Sequence, residues 1–184
     1  MLPENFTGHG WELDNKIPIN DSGAEKIVYP VRKHGILYAA KVYRERDIWG
    51  KPIKRQKESR HEFASYLATN KSSLKQFVPS PIEMISDHGS DVGLIIDWRN
   101  GLTLVEGYGR IFLSHQIIGQ LEIVLCNLPE ELWLNPDTLS DKNIGLDGKT
   151  IWLAEPRLQK YNNFAHWKLI VDESVNYLYQ NYCR

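Results

Sequence analysis

Asn143 and Glu155 stand at the two ends of the stretch best suited to chemistry, LSDKNIGLDGKTIWLAEPRL at residues 139 to 158. It reads as a loop ending in Asn143, a short strand from Ile144 to Leu146, a turn at Asp147-Gly148 and a second strand from Thr150 to Ala154. Asp-Gly between two short apolar runs is a hairpin signal, because glycine accepts positive φ without a steric penalty. The open ends of that hairpin then carry an amide, Asn143, and a carboxylate, Glu155. Two such oxygen donors suit a hard cation such as Mg²⁺, which takes a few protein oxygens together with phosphate. A surface hairpin with polar ends satisfies the same pattern. A second candidate is Lys41, inside the apolar run ILYAAKVY. A lysine in a half-buried strand costs desolvation unless a carboxylate faces it. Glu58 and Glu62 lie four apart on one helical face, and either can supply that carboxylate. Period-2 alternation can instead turn Lys41 toward water, with both glutamates exposed.

The elements that must position these groups follow from the pattern of apolar residues. Trp11 to Ile19 predicts a first strand, closed by the turn cluster Asn20-Asp21-Ser22-Gly23. KIVYPVR, residues 26 to 32, predicts a second strand, with Pro30 marking an exposed or irregular position. His34-Gly35 turns the chain into the third strand, Ile36 to Tyr43. The polar, basic stretch from 44 to 57 reads as a solvated loop leading into a helix over Ile53 to Ala68. Two strands follow, Ile82 to Ser86 and Val92 to Asp97. Ser114 caps a helix running to about Leu128, and the tail holds a helix from Phe164 to Tyr182.

Composition narrows the class. The chain has 184 residues, 42% hydrophobic and 24% charged, with a net charge of −1. These values fit a single globular domain and give no chain-wide reason to expect nucleic acid or an anionic membrane. No apolar run approaches a membrane span, the first residues lack the pattern of a signal peptide, and two cysteines do not make a disulfide framework. The expected setting is the cytoplasm.

Taken in order, SGAEKIVYPV, AAKVY, HEFASYL, GLIIDW and NIGLDGKTIWLAEPRL resemble successive landmarks of a protein kinase fold. The resemblance runs from about residue 17 to 158 and is nearest to the small bacterial YrbL-type (PhoP regulatory network) kinase-like family. It implies an α+β, two-lobed fold. Residues 1–101 would form a five-stranded antiparallel N-lobe sheet with helix C and the hinge, and residues 102–184 a minimal helical C-lobe. It also implies ATP and Mg²⁺ as cofactors. Lys41 then resembles the lysine that holds the α- and β-phosphates, and Glu62 its ion-pair partner on helix C. Gly23 is the one glycine of the phosphate-covering turn. The backbone of Asp97, Trp98 and Arg99 corresponds to the hinge that meets adenine, and Asn143 and Glu155 to the metal ligands.

The departures from that pattern bear on activity. Counting back from Asn143, the catalytic aspartate position falls on Thr138, and D-F-G reads Glu155-Pro156-Arg157. A threonine hydroxyl is a poor proton acceptor. Asp137 can take that role only if the loop accommodates a one-residue shift, which Pro136 before it opposes. Two readings therefore stand. One is a weak or atypical protein phosphotransferase using Lys41, Glu62 and Asp137. The other is a pseudokinase, a binding or regulatory scaffold. Both call for a protein partner or substrate; the oligomeric state is open.

Overall fold

The structure is a computed structural model that describes residues 6–109, 111–147 and 150–183. Among these the chain is α+β, with a five-stranded antiparallel sheet, a three-stranded antiparallel sheet and three α-helices. It divides into two compact units, residues 1–64 with 80–98 and residues 65–79 with 99–184. None of the described helices is long and apolar enough to cross a membrane.

The first unit is built on strands β1 (Glu12–Leu13), β2 (Lys26–Lys33), β3 (Ile36–Tyr43), β4 (Pro81–Asp87) and β5 (Ser90–Asp97), in the order β1-β2-β3-β5-β4. Helix α1 (Arg55–Thr69) lies between β3 and β4 in sequence. Two hairpins, β2–β3 and β4–β5, each turn on a His-Gly pair, His34-Gly35 and His88-Gly89. All four residues have positive φ, the type I′ geometry whose twist matches that of the flanking strands. The expected first strand over Trp11 to Ile19 shrinks to two residues. The Asp14 carboxylate accepts the Lys16 backbone N–H at 2.9 Å and Arg32 Nε at 2.6 Å, which turns the chain out of the sheet. Pro30 sits inside β2 and is buried, not exposed. Its carbonyl accepts the Asp14 N–H just past the end of β1, so β2 is close to an edge there and little of the ladder is lost.

Alternation gives the β2–β3 hairpin two faces. Tyr29, Val31, Ala40 and Val42 join Phe6, Trp11, Val92 and Ile95 in a hydrophobic core. Trp11 is buried, donates its Nε1–H to Glu83 Oε1 at 2.6 Å and meets the Tyr38 ring edge-on at 5.1 Å. An indole is stable in an apolar core when its N–H has a partner, as here. Lys26, Lys41 and Tyr43 fall on the opposite face, at alternate positions of the same hairpin.

The second unit holds β6 (Leu102–Thr103), β7 (Ile144–Asp147) and β8 (Thr150–Leu153), ordered β6-β7-β8, with α2 (His115–Cys126) and α3 (Phe164–Tyr182). Ser114 caps α2 as expected, its Oγ accepting the Ile117 N–H at 3.3 Å, and Asn163 caps α3 through the His166 N–H at 2.9 Å. Ile118, Leu121 and Leu125 of α2 and Trp167, Val171, Val175, Leu178 and Tyr182 of α3 are buried. Trp133 stacks on Trp167 at 6.1 Å, and the two indoles donate to the carbonyls of Leu128 and Leu125.

Trp11→Ala removes both the largest side chain of the first core and the donor to Glu83. It is expected to cost about 3–5 kcal/mol in urea unfolding. A loss under about 1 kcal/mol would show that the N-terminal segment does not belong to that core.

Candidate functional site

The first set of candidate residues is gathered by the β2–β3 register. The two-residue His34-Gly35 turn pairs Val28 with Lys41 and Lys26 with Tyr43. Lys41 and Tyr43 therefore share a face with Lys26, and Glu62 of α1 meets all three. Lys41 Nζ donates to Glu62 Oε1 at 2.5 Å, Lys26 Nζ to Oε2 at 3.1 Å and the Tyr43 hydroxyl to Oε2 at 2.6 Å. Glu62 is 2% exposed, Lys41 4% and Lys26 6%, so the expectation that Lys41 needs a buried carboxylate holds and the solvent-facing alternative does not. Glu58, the other candidate, is only half-buried, one helical turn away. A carboxylate removed from water is stabilised only when donors surround both oxygens, and Lys41, Lys26 and Tyr43 supply them here. The Lys26 ammonium also lies 5.1 Å from the centroid of the Tyr43 ring, a cation–π contact.

Gly23 lies in the turn between the Asn20–Val28 bridge and β2. A side chain there would bring Cβ to 2.8 Å from the Lys26 carbonyl oxygen, so only glycine lets the turn fold this closely onto β2. The carbonyls of this turn are drawn to one segment. Arg44 Nη2 donates to Asp21 O at 2.5 Å, Arg44 Nε to Gly23 O at 3.3 Å, the Arg44 N–H to Glu25 O at 2.8 Å and the Ile48 N–H to Ala24 O at 3.1 Å. The backbone N–H groups of Gly23 and Ala24 make no hydrogen bond among the described residues. With its carbonyls tied back, the turn offers two free donors, the kind of backbone polarity that receives an anion.

At the end of β5 the hinge candidates are partly committed. The Asp97 N–H donates to Ser80 O at 2.9 Å and its Oδ2 accepts the Ser80 N–H at 3.2 Å. Asp97 thus spends its backbone donor on Ser80, the residue before β4. Trp98 closes the first unit in sequence, and Arg99 opens this part of the second, where its Nη2 reaches Val78 O at 3.4 Å.

The second set belongs to the β7–β8 hairpin and the turn before it. The hairpin forms as expected, with Ile144 opposite Leu153 and Asp147 opposite Thr150; Gly148 of the expected turn is outside the described residues. The ladder continues one step, the Ala154 N–H donating to Asn143 O at 2.7 Å, which sets Asn143 and Glu155 at its open end. Asn143 Nδ2 donates to Asp137 O at 2.8 Å, leaving Oδ1 as the part of the amide that can meet a cation. Glu155 Oε2 lies 3.3 Å from Arg157 Nη2. Among the described residues no three His, Cys, Asp or Glu side chains form a metal-binding group. Mg²⁺ needs only one or two carboxylates beside phosphate, so the donor types at Asn143 and Glu155 fit it, with Arg157 competing for the carboxylate.

Thr138, at the counted catalytic position, lies in a short 3-10 helix, Pro136–Leu139, and is buried. Its Oγ1–H donates to Glu155 O at 2.8 Å, and Oγ1 accepts the Arg157 N–H at 3.1 Å. Both functions of the hydroxyl are occupied. Asp137 is half-exposed and its Oδ1 pairs with Lys142 Nζ at 2.8 Å. Its backbone is fixed through Asn135 Oδ1, Ser140 Oγ and Asn143 Nδ2.

Sequence reading missed Lys26 and Tyr43. Counting both strands outward from the His34-Gly35 turn would have found them, since that register sets both on the face of Lys41. No protein-family model and no curated protein matches the chain.

Two substitutions test these placements. Glu62→Gln leaves two buried ammonium groups against a neutral amide and is expected to cost about 3–5 kcal/mol, against about 1.5–3 kcal/mol for Lys26→Met. Equal losses in chemical denaturation would mean the carboxylate is not the centre of the cluster. Thr138→Val keeps the shape and removes both hydrogen bonds of the hydroxyl, while the Arg157 N–H keeps its own bond to Glu155 O at 2.9 Å. A loss of about 0.5–1.5 kcal/mol is expected, and no loss would show that the hydroxyl ties nothing.

Proposed function

We propose that this chain is a kinase-like nucleotide-binding protein acting as a pseudokinase, a regulatory module that binds ATP with Mg²⁺ and a protein partner without efficient phosphotransfer. The observation that carries the reading is the buried ion pair between Lys41 on the third strand and Glu62 on the following helix. A five-stranded antiparallel sheet with its helix inserted after the third strand supports it. In kinases that pair places the lysine on the α- and β-phosphates.

On this reading Lys41 holds phosphate oxygens, and Glu62 fixes the direction of its ammonium group. The free N–H groups of Gly23 and Ala24 receive phosphate charge, held outward because Arg44 occupies the carbonyls behind them. Asn143 and Glu155 would hold Mg²⁺, which when bound neutralises phosphate charge. With two free backbone donors in place of a full glycine-rich loop, affinity is weak, roughly −5 kcal/mol, in the upper micromolar range. Thr138 takes no proton from a substrate, because its hydroxyl donates to Glu155 O and its lone pair is engaged by Arg157. A second reading, slow phosphotransfer with Asp137 as base, is favoured by the Asn143 side chain gripping the Asp137 carbonyl, which holds that residue beside a metal-ligand position.

Titration calorimetry with ATP and Mg²⁺ is expected to show upper-micromolar binding, lost in Lys41→Met and weakened about tenfold in Arg44→Met. Absence of binding to the folded wild type would end the nucleotide assignment. Phosphotransfer to a general protein substrate is expected to stay at background and to be unmoved by Asp137→Asn. Robust transfer reduced about 10²–10⁴-fold by Asp137→Asn would instead establish an enzyme with Asp137 as its base.

A further inference from the structure

The segment after β3 presents two large apolar side chains at the end of an ordered turn. Trp49 is 78% exposed and Ile48 58%. Asp47 builds the turn: its Oδ1 accepts the N–H of Trp49 at 2.9 Å and of Lys51 at 2.8 Å, and its N–H donates to Lys51 O at 2.9 Å. Below the tip, Arg46 and Pro52 form a β-bridge, Arg46 Nη1 donates to Gly50 O at 2.8 Å, and the Ile53 N–H donates to Glu45 O at 2.9 Å. The tip is therefore held in shape while its apolar side chains stay in water.

Residues 44–60 contain seven basic and three acidic side chains, a net +4, so the remainder of a chain of net −1 carries −5. Lys51, Lys54 and Lys57 are exposed, and no described carboxylate pairs with them. The chain-wide charge conceals this local excess, which removes the ground for expecting no membrane contact.

We infer that the Ile48–Trp49 tip and the lysines behind it form a docking surface for an anionic phospholipid bilayer. A projecting indole would need a matching pocket on a protein, whereas a bilayer surface deforms around it. Tryptophan favours the headgroup level, where its ring is apolar and its N–H stays hydrated. Lysines beside it are attracted to acidic headgroups, within the short range that salt allows. Two side chains and a few cations give peripheral, reversible attachment. This inference does not depend on nucleotide binding.

The test is sedimentation of the full chain with vesicles of phosphatidylglycerol and phosphatidylcholine at low salt, beside pure phosphatidylcholine vesicles. Wild type is expected to partition onto the anionic vesicles only and to be released by about 0.5 M salt. The triple variant Lys51→Glu, Lys54→Glu, Lys57→Glu should lose about a hundredfold in partition, and Ile48→Ser with Trp49→Ser about tenfold, both with unchanged circular dichroism. Brominated lipid should quench wild-type fluorescence and leave the Trp49→Ser variant unquenched. No partition of wild type, equal partition of the variants, or equal binding to neutral vesicles would overturn the inference. Indifference to vesicles with binding of a polyglutamate peptide through the same lysines would assign the surface to an acidic protein, and the membrane assignment would fall.

Discussion

A carboxylate withdrawn from water has to be enclosed by donors, and the first unit is arranged around meeting that demand at Glu62. Three groups converge on its two oxygens, two from β3 and one from β2. None could arrive there without the tight β2–β3 turn, which decides which residues face α1. Removing any one partner leaves a buried charge under-compensated, so strand register, helix phase and side-chain identity are coupled at this point. The apolar core on the other face of the hairpin tolerates variation in size and shape far better than this cluster tolerates variation in charge.

The candidate residues of the second unit face a different balance. There the polar groups are neutral or half-exposed, and they bind mostly to their own backbone. Thr138 closes onto Glu155 and Arg157, Asn143 onto Asp137, and Asp137 onto Lys142. Such local hydrogen bonds hold a short irregular segment in shape where no helix or sheet ladder does so. They also use up the lone pairs and protons that chemistry would require. Fixing a loop and leaving a reactive group available compete for the same atoms.

Much of this was legible in the residues. The His34-Gly35 turn, the pairing of β7 with β8, the Ser114 cap and the apolar faces of α2 and α3 read directly, because each depends on chemistry within a few positions. The need of Lys41 for a carboxylate was legible for a different reason, since an ion in an apolar strand demands a counter-ion; the choice of Glu62 over Glu58 came from the resemblance alone. The short β1 was not legible, since its end depends on Arg32 reaching Asp14 across the sheet. Nor was the role of Thr138, because a hydroxyl gives no sign in sequence of which carbonyl it will meet. Pro30 misled for a related reason: its cost depends on how far the neighbouring strand extends.

The closed hydroxyl of Thr138 bears on how this chain can change over time. Its proton points at a carbonyl oxygen, so a carboxylate at 138 would set one acceptor against another inside a packed turn. A single substitution to aspartate or glutamate meets repulsion from the Glu155 carbonyl before it can serve as a base. An acid there requires a loop that has first lost its tie to Glu155, and selection for stability opposes that step. The position behaves as a ratchet: with the hydroxyl serving as a brace, an acidic side chain at 138 is hard to reach by stepwise mutation.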